Sequence, residues 1–282
     1  MQLIELDGYP LHSLIERVPS NVHRGVSGLA APEDRIESGA VAGDHGLFIT
    51  STLSGGRTIS IPGRLRGGET DFPVLRQAFI AATTNKRDAN GRVAPRTLRL
   101  YDLDGRDYQI GVVRRSLEFD HELPTTAEFL LQLVAPDPWI YAQEETSLTL
   151  TLPTGGGYTV PVTYPKVYGN ATGGTGTITN EGTAITKPVV EFHGPLTNPA
   201  LTNETTGKRI GLTLTLGVGE VVILDMQRRT AIQGTSTNRM GFLSSGYSWW
   251  GLPTGPNDLR LSADTYEAGY AVVRARSAWQ GL

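Results

Sequence analysis

Arg57-Thr58-Ile59-Ser60-Ile61-Pro62-Gly63 is the stretch whose reading sets the fold class of this chain. Ile59 and Ile61 alternate with Thr58 and Ser60, the period of two that turns one face of a strand to a core and the other to solvent. Pro62-Gly63 is expected to stop that strand, because proline lacks a ladder donor and glycine weakens a strand interior. Just downstream the period changes. Leu75, Ala78, Phe79 and Ala82 recur at i, i+3, i+4 and i+7 and form one apolar stripe of a helix. Asp71 stands where an N-cap is needed, and Pro73 is tolerated in a first turn. No other stretch reads convincingly as a helix.

Further out, the chain is strand and turn. Leu98 and Leu100 alternate on one strand and Tyr108, Ile110 and Val112 on the next, with Asp104-Gly105 between them as a hairpin-turn signal. Ala127 to Val134 is apolar on both faces and reads as a central strand. Ala135-Pro136-Asp137-Pro138-Trp139 interrupts the ladder, and a first domain is expected over residues 1–142 with a second over 143–282. In the second half Leu148, Leu150 and Leu152 form one strand. Ile210, Leu212, Leu214 and Leu216 form another, turned by Gly217-Val218-Gly219 into Val221–Leu224. Leu259 with Leu261, and Ala271 with Val273 and Ala275, mark the last two. The fold class is mostly β: an N-terminal β domain with one α-helix, followed by an antiparallel two-sheet sandwich. The 34 glycines and 17 prolines of the 282 residues fit short strands joined by tight turns.

Bulk chemistry excludes more than it suggests. With 25 basic and 28 acidic residues the net charge is −3, which gives no support to a nucleic-acid-binding face built on bulk electrostatics. The absence of cysteine removes disulfides, thiolate metal sites and cysteine nucleophiles. The N-terminus lacks the basic and apolar regions of a signal peptide, and no run approaches the roughly 20 apolar residues of a membrane span. The chain is expected to be made in the cytosol, without membrane insertion.

No catalytic, cofactor-binding or metal-ligating set emerges. His12, His23, His45, His121 and His193 have no metal-ligand spacing. Asp102-Leu103-Asp104-Gly105-Arg106-Asp107 invites a calcium loop, but Leu100 and Gly111 stand where that loop needs oxygen ligands. Gly173-Gly174-Thr175-Gly176 lacks the third glycine of a dinucleotide fingerprint, and Gly155-Gly156-Gly157 is the only low-complexity tract. Two clusters carry both a functional and a bland reading. Arg57, Arg64 and Arg66, with Arg24 and Arg35 upstream, form a surface facing nucleic acid or an acidic partner, or are ordinary solvated arginines. Tyr247, Trp249 and Trp250 form a glycan-stacking platform, or pack a core or interface.

Specific residues then point further. Gly176-Thr-Ile-Thr-Asn180-Glu-Gly182-Thr183-Ala184-Ile-Thr186-Lys-Pro188, His193-Gly194-Pro195, Asn198-Pro199 and Asn203-x-x-Thr206-Gly207 occur in the order seen in the C-terminal domain of one phage family. Val221–Asp225, Arg228-Arg229 to Gly234, Trp250-Gly-Leu252-Pro253-x-Gly255-x-Asn257 and Val272-x-Arg274-x-Arg276-x-x-Trp279 continue it. Ile59-x-Ile61-x-Gly63-x-Leu65 and Ala135-Pro136-Asp137-Pro138-x-x-Tyr141 match its first half. Over nearly its whole length the chain resembles the distal tail proteins of long-tailed, non-contractile phages.

The resemblance implies an N-terminal ring-forming β domain and a C-terminal galectin-like β-sandwich. It implies a hub ring, commonly of six subunits, at the distal end of the virion tail. That ring joins the tail tube protein to the tail-associated fibre or lysin protein, has receptor-binding proteins as further partners, and lets DNA pass through its lumen. In such a ring Arg57, Arg64 and Arg66 are candidates for an intersubunit or tube-facing contact, and no enzyme activity and no cofactor is implied. Sugar binding does not come with the galectin label, because Gly194-Pro195 follow His193 and Leu252-Pro253 follow Trp250 where true galectins carry polar sets. The alternative reading is a carbohydrate-binding adhesion module for host cell-wall glycan, resting on Tyr247, Trp249 and Trp250.

Overall fold

The computed structural model describes residues 2–14, 18–22, 25–102, 105–153, 174–264 and 268–282. His23, Arg24, Asp104, Gly155-Gly156-Gly157 and Gly173 lie outside the described residues, as does the side chain of His121. The chain forms two compact units, Met1–Gln143 with Trp279–Leu282, and Glu144–Ala278. Both are built from strands, and among the described residues one α-helix occurs.

The first unit contains β1 (Leu3–Leu6), β2 (Tyr9–Ser13), β3 (Ser20–Val22), β4 (Asp34–Ala40), β5 (Leu47–Ser54), β6 (Arg57–Arg66), α1 (Phe72–Thr83), β7 (Lys86–Arg87), β8 (Val93–Ala94), β9 (Arg96–Tyr101), β10 (Asp107–Leu123), β11 (Thr126–Ala135) and β12 (Ile140–Ala142). Its main sheet runs β2-β1-β9-β10-β11-β6-β3, with β12 added to β10. β10 holds this path together. Asp107–Val112 pair with β9, and the register then shifts between Arg114 and Ser116 as Val113–Leu123 pair with β11. An extra residue at such a shift bends a strand and lets it pass from one half of a curved sheet to the other. The inward side chains of β1, β6, β9, β10 and β11 close on one core with Phe72 and Phe79 of α1.

Three expectations for this unit need correction. β6 does not stop at Pro62-Gly63 but continues to Arg66. Ser60 exchanges both backbone hydrogen bonds with Ser27, on the side away from β11. Pro62, two residues further on, turns its nitrogen to that same side, so the missing donor costs no bond to β11. Gly63 lets the Phe129 ring lie against the strand, since a Cβ there would meet the ring at 2.3 Å. On α1 the buried positions are Phe72, Phe79 and Thr83, and Ala78 is exposed. Asp71 occupies the N-cap position without a side-chain cap, because its own backbone is already helical. The β9–β10 hairpin forms, with Tyr101 opposite Asp107 and Gly105 at φ +82°.

The second unit contains β13 (Thr146–Thr151), β14 (Thr175–Asn180), β15 (Val189–His193), β16 (Leu196–Thr197), β17 (Ala200–Asn203), β18 (Lys208–Gly211), β19 (Thr215–Leu216), β20 (Val221–Asp225), β21 (Thr230–Gln233), β22 (Thr237–Asn238), β23 (Gly255–Ser262) and β24 (Tyr270–Ala275). One sheet runs β13-β24-β15-β20-β21-β22 and the other β14-β23-β17-β18. Val190, Phe192, Val222, Leu224 and Val273 of the first share a single core with Ile178, Leu201, Ile210, Leu259 and Leu261 of the second.

The leucine run does not form the expected hairpin. β18 ends at Gly211, where a Cβ would press on Ala200 at 2.7 Å. Leu212 makes an isolated bridge to Leu243, β19 pairs with β16, and β20 joins the other sheet between β15 and β21. Ile210, Leu212 and Leu216 are all buried along this crossing. The alternation therefore records which residues face the core, and not which strands share a ladder.

The residues that carried the family resemblance have a physical role here. Asn180 is buried, donates to the carbonyls of Ala184 and Leu252, and accepts from the amides of Gly182 and Ala278. A Cβ on Gly182 would stand 1.8 Å from the Ala278 carbonyl oxygen, so only glycine fits. Asn257 ties the turn before β23 by donating to the carbonyls of Pro253 and Gly255, 2.9 Å each.

Candidate assembly surface

Period-two geometry separates the three arginines of β6. Arg57 points inward and is 2 % exposed, whereas Arg64 and Arg66 point outward and are exposed. Arg57 Nε donates to the Pro138 carbonyl at 2.8 Å and Nη1 to the carbonyls of Leu29 and Gly28 at 2.9 and 3.2 Å. Nη2 reaches the Gln280 carbonyl. Burial pulls the guanidinium below its ordinary range, and the nearby Asp137 carboxylate works against that. With its donors spent on backbone oxygens, Arg57 is a clamp on three loops of its own unit and not an intersubunit contact. The spacing held this answer, since positions 57 and 64 differ by an odd number and lie on opposite faces of one strand.

Arg64 sits directly opposite Glu128 on β11, and Nη2 meets the carboxylate at 2.5 Å. Both side chains are partly exposed, so the pair contributes only about 0–1 kcal/mol and leaves the face available to a partner. Arg66 lies on the same face of β6, and Arg35 belongs to β4.

The larger feature went unread in the sequence. β4 and β5 pair only with each other, as a two-stranded hairpin. It exposes Ile36, Leu47, Phe48, Ile49 and Leu53, with Leu47 at 70 % and Ile49 at 65 %. Leu47 and Phe48 are adjacent on one strand and point to opposite faces, so both faces carry apolar side chains. An isolated two-stranded hairpin is marginal in water, and contiguous exposed apolar surface marks an interaction site. The run Leu47-Phe48-Ile49 was visible, but it lacks the alternation that reports a half-buried strand.

In the second unit Trp250 is 1 % exposed and belongs to the core, so the three-aromatic platform does not exist. Trp249 packs against that core, and Tyr247 is 43 % exposed with its ring edge-on to Trp249, centroids 6.0 Å apart. Among the described residues no group of three or more His, Asp or Glu is placed to hold a metal ion. His12 bonds Asn21, and His193 stacks on Tyr270 at 4.5 Å beside Glu191. No described helix is long and apolar enough to cross a membrane.

Fold and motifs together define a class. Residues 181–272 match the family described as siphovirus-type tail component, C-terminal domain. The resemblance to the distal tail proteins is thus shown, and the mostly β fold with one helix goes with it. Among solved structures, the Dit protein of phage SPP1, described as a paradigm of the hub adsorption apparatus in phages infecting Gram-positive hosts, superposes with a TM-score of 0.67. It is 15 % identical, with 97 % of each chain covered. The phage P2 baseplate in its activated conformation with Ca gives 0.48 at 10 % identity, and with Sr 0.47 at 11 %, each covering 91 % of this chain and 90 % of that one. No curated protein matches the chain in sequence.

Proposed function

We propose that the chain is a structural hub protein of a siphovirus tail tip, whose first unit closes a ring, of six subunits by family analogy. The observation that carries this reading is the β4–β5 hairpin, whose exposed Leu47, Phe48 and Ile49 need cover that the described part of the chain does not supply. In a cyclic ring each subunit offers one patch and receives another, so every hairpin is covered and none is left over. The same closure protects the strand edges of β4 and β5 from open-ended pairing. Outward Arg64 and Arg66 are the candidate tube-facing or intersubunit contacts. The ring would join the tail tube to the fibre or lysin protein, carry receptor-binding proteins at its periphery, and pass DNA through its lumen. The second unit, galectin-like by family analogy, serves as a docking module. On this reading the protein sits at the distal end of the virion tail.

The test is native mass spectrometry of the purified chain at micromolar concentration. A closed multiple of six is expected, and Phe48→Ser with Ile49→Ser should reduce it to monomer while circular dichroism stays unchanged. A native chain that remains monomeric both alone and with its tube protein overturns the hub reading.

A further inference from the structure

The described cations of the second unit differ in how they are partnered. Arg228, Arg260, Arg274 and Arg276 each reach a carboxylate, and Arg239 bonds Gln233 and lies over the Phe242 ring. Lys187, Lys208 and Arg229 have no carboxylate within ion-pair distance among the described residues. The backbone brings their segments together: Pro188, next to Lys187, accepts the Met226 amide at 3.2 Å just before the β20–β21 turn that holds Arg229 at φ +55°, and Arg209, next to Lys208 at the start of β18, accepts the Ser248 amide at 2.9 Å beside Trp249. Burial, then the charges of Arg229 and Lys208, hold the Lys187 ammonium below the usual lysine range. Gathering three like charges with no counter-charge disfavours the empty chain, and an anion placed among them removes that repulsion.

The same corner carries exposed aromatic surface. Lys187 Nζ donates to the Trp249 carbonyl at 3.1 Å, which ties the cations to the Tyr247–Trp249 pair. Aromatic rings half-buried at a polar rim offer an apolar face to a sugar ring while leaving its hydroxyls wet. We propose that this corner binds an anionic glycan, with a sugar ring against Tyr247 and Trp249 and its phosphate or carboxylate among Lys187, Lys208 and Arg229. A carboxylate-bearing peptide would use the cations but not the rings, which is why the glycan is favoured. The site does not depend on ring formation.

Calorimetry on the full chain tests it with four probes: a phosphodiester-linked oligosaccharide, an oligogalacturonate, an uncharged cello-oligosaccharide and polyglutamate. Saturable binding of one of the two anionic sugars is expected, and which one binds separates phosphate from carboxylate. Lys208→Ala with Arg229→Asn, and separately Tyr247→Ala, should each weaken it by about tenfold or more, and Lys208→Arg should retain it. Asparagine suits the left-handed backbone at 229, and the double variant should melt no lower than the native chain. The proposal is overturned if neither anionic sugar binds, if the variants bind unchanged, or if the uncharged sugar or polyglutamate binds as well. A lowered melting temperature in the double variant would also overturn it, by giving these cations a structural role.

Discussion

Arg57 donates from Nη2 to the backbone carbonyl of Gln280, 223 positions further along the chain. The last four residues thus belong to the first unit, although the sequence placed them with the second. Trp279 sets its ring edge-on to Tyr108 at 5.2 Å, and the Leu282 amide bonds the Leu29 carbonyl at 3.1 Å.

Replacing Arg57 by Met should leave the carbonyls of Pro138, Gly28, Leu29 and Gln280 without that donor in a dry site. The expected loss is on the order of 3 kcal/mol, read from the urea midpoint. Arg57→Lys should recover only part of it, because one ammonium cannot span the acceptors of a planar fork. Truncation after Ala278 should destabilise the first unit and spare the second. A truncated chain with an unchanged midpoint would refute the clamp.

Asp7 gives a pH-dependent counterpart. Burial raises its carboxyl, but the Thr97 amide and the Arg96 and Lys86 side chains outweigh burial and hold it below the usual carboxylate value of 3.8. A depressed folded pKa means that this contribution is complete above the unfolded value. It fades as pH falls through the folded one. Denaturant unfolding from pH 6 down to pH 2 should therefore show a loss beginning near pH 4 that is absent in Asp7→Asn. Asparagine tolerates the φ of +49° at this turn, so backbone strain does not confuse the comparison.

In the second unit Asn180 is the sensitive position. Asn180→Asp keeps the acceptor toward the Gly182 and Ala278 amides but turns a carboxylate oxygen on the carbonyls of Ala184 and Leu252. The substitution should cost about 2–3 kcal/mol at pH 7 and less at pH 4, where protonation restores a donor. A pH-independent loss would mean that the side chain has left the site.

The outward arginines make a different prediction. Arg64→Glu with Arg66→Glu should change unfolding free energy by no more than about 1 kcal/mol, since the Arg64–Glu128 pair is exposed. Ring mass or docking to the tube protein should nevertheless be lost. If both persist, these arginines are ordinary solvated side chains.

Much of this fold was legible because burial writes itself into the period of a strand. Ile59 and Ile61, and Leu98 and Leu100, face the core as their spacing indicates, whereas from Ala127 to Ala135, read as apolar on both faces, only the alternate residues Ala127, Phe129, Leu131, Leu133 and Ala135 are buried. Asn180, Gly182 and Asn257 were legible as a pattern before their hydrogen bonds gave the reason for it. By itself the sequence determined a β-rich chain with one helix, no cysteine chemistry and a distal-tail resemblance, since these rest on local spacing and residue type. Only the tertiary structure decided that Leu216 and Val221 belong to different pairings, that Arg57 spends its donors on the carbonyls of Gly28, Leu29, Pro138 and Gln280, and that Trp250 is core. It alone brought Lys187, Lys208 and Arg229 into one corner and left Leu47 and Ile49 uncovered. The physical reason is that spacing reports which face of an element turns inward. Partners tens or hundreds of residues apart are chosen by packing, which no local period records.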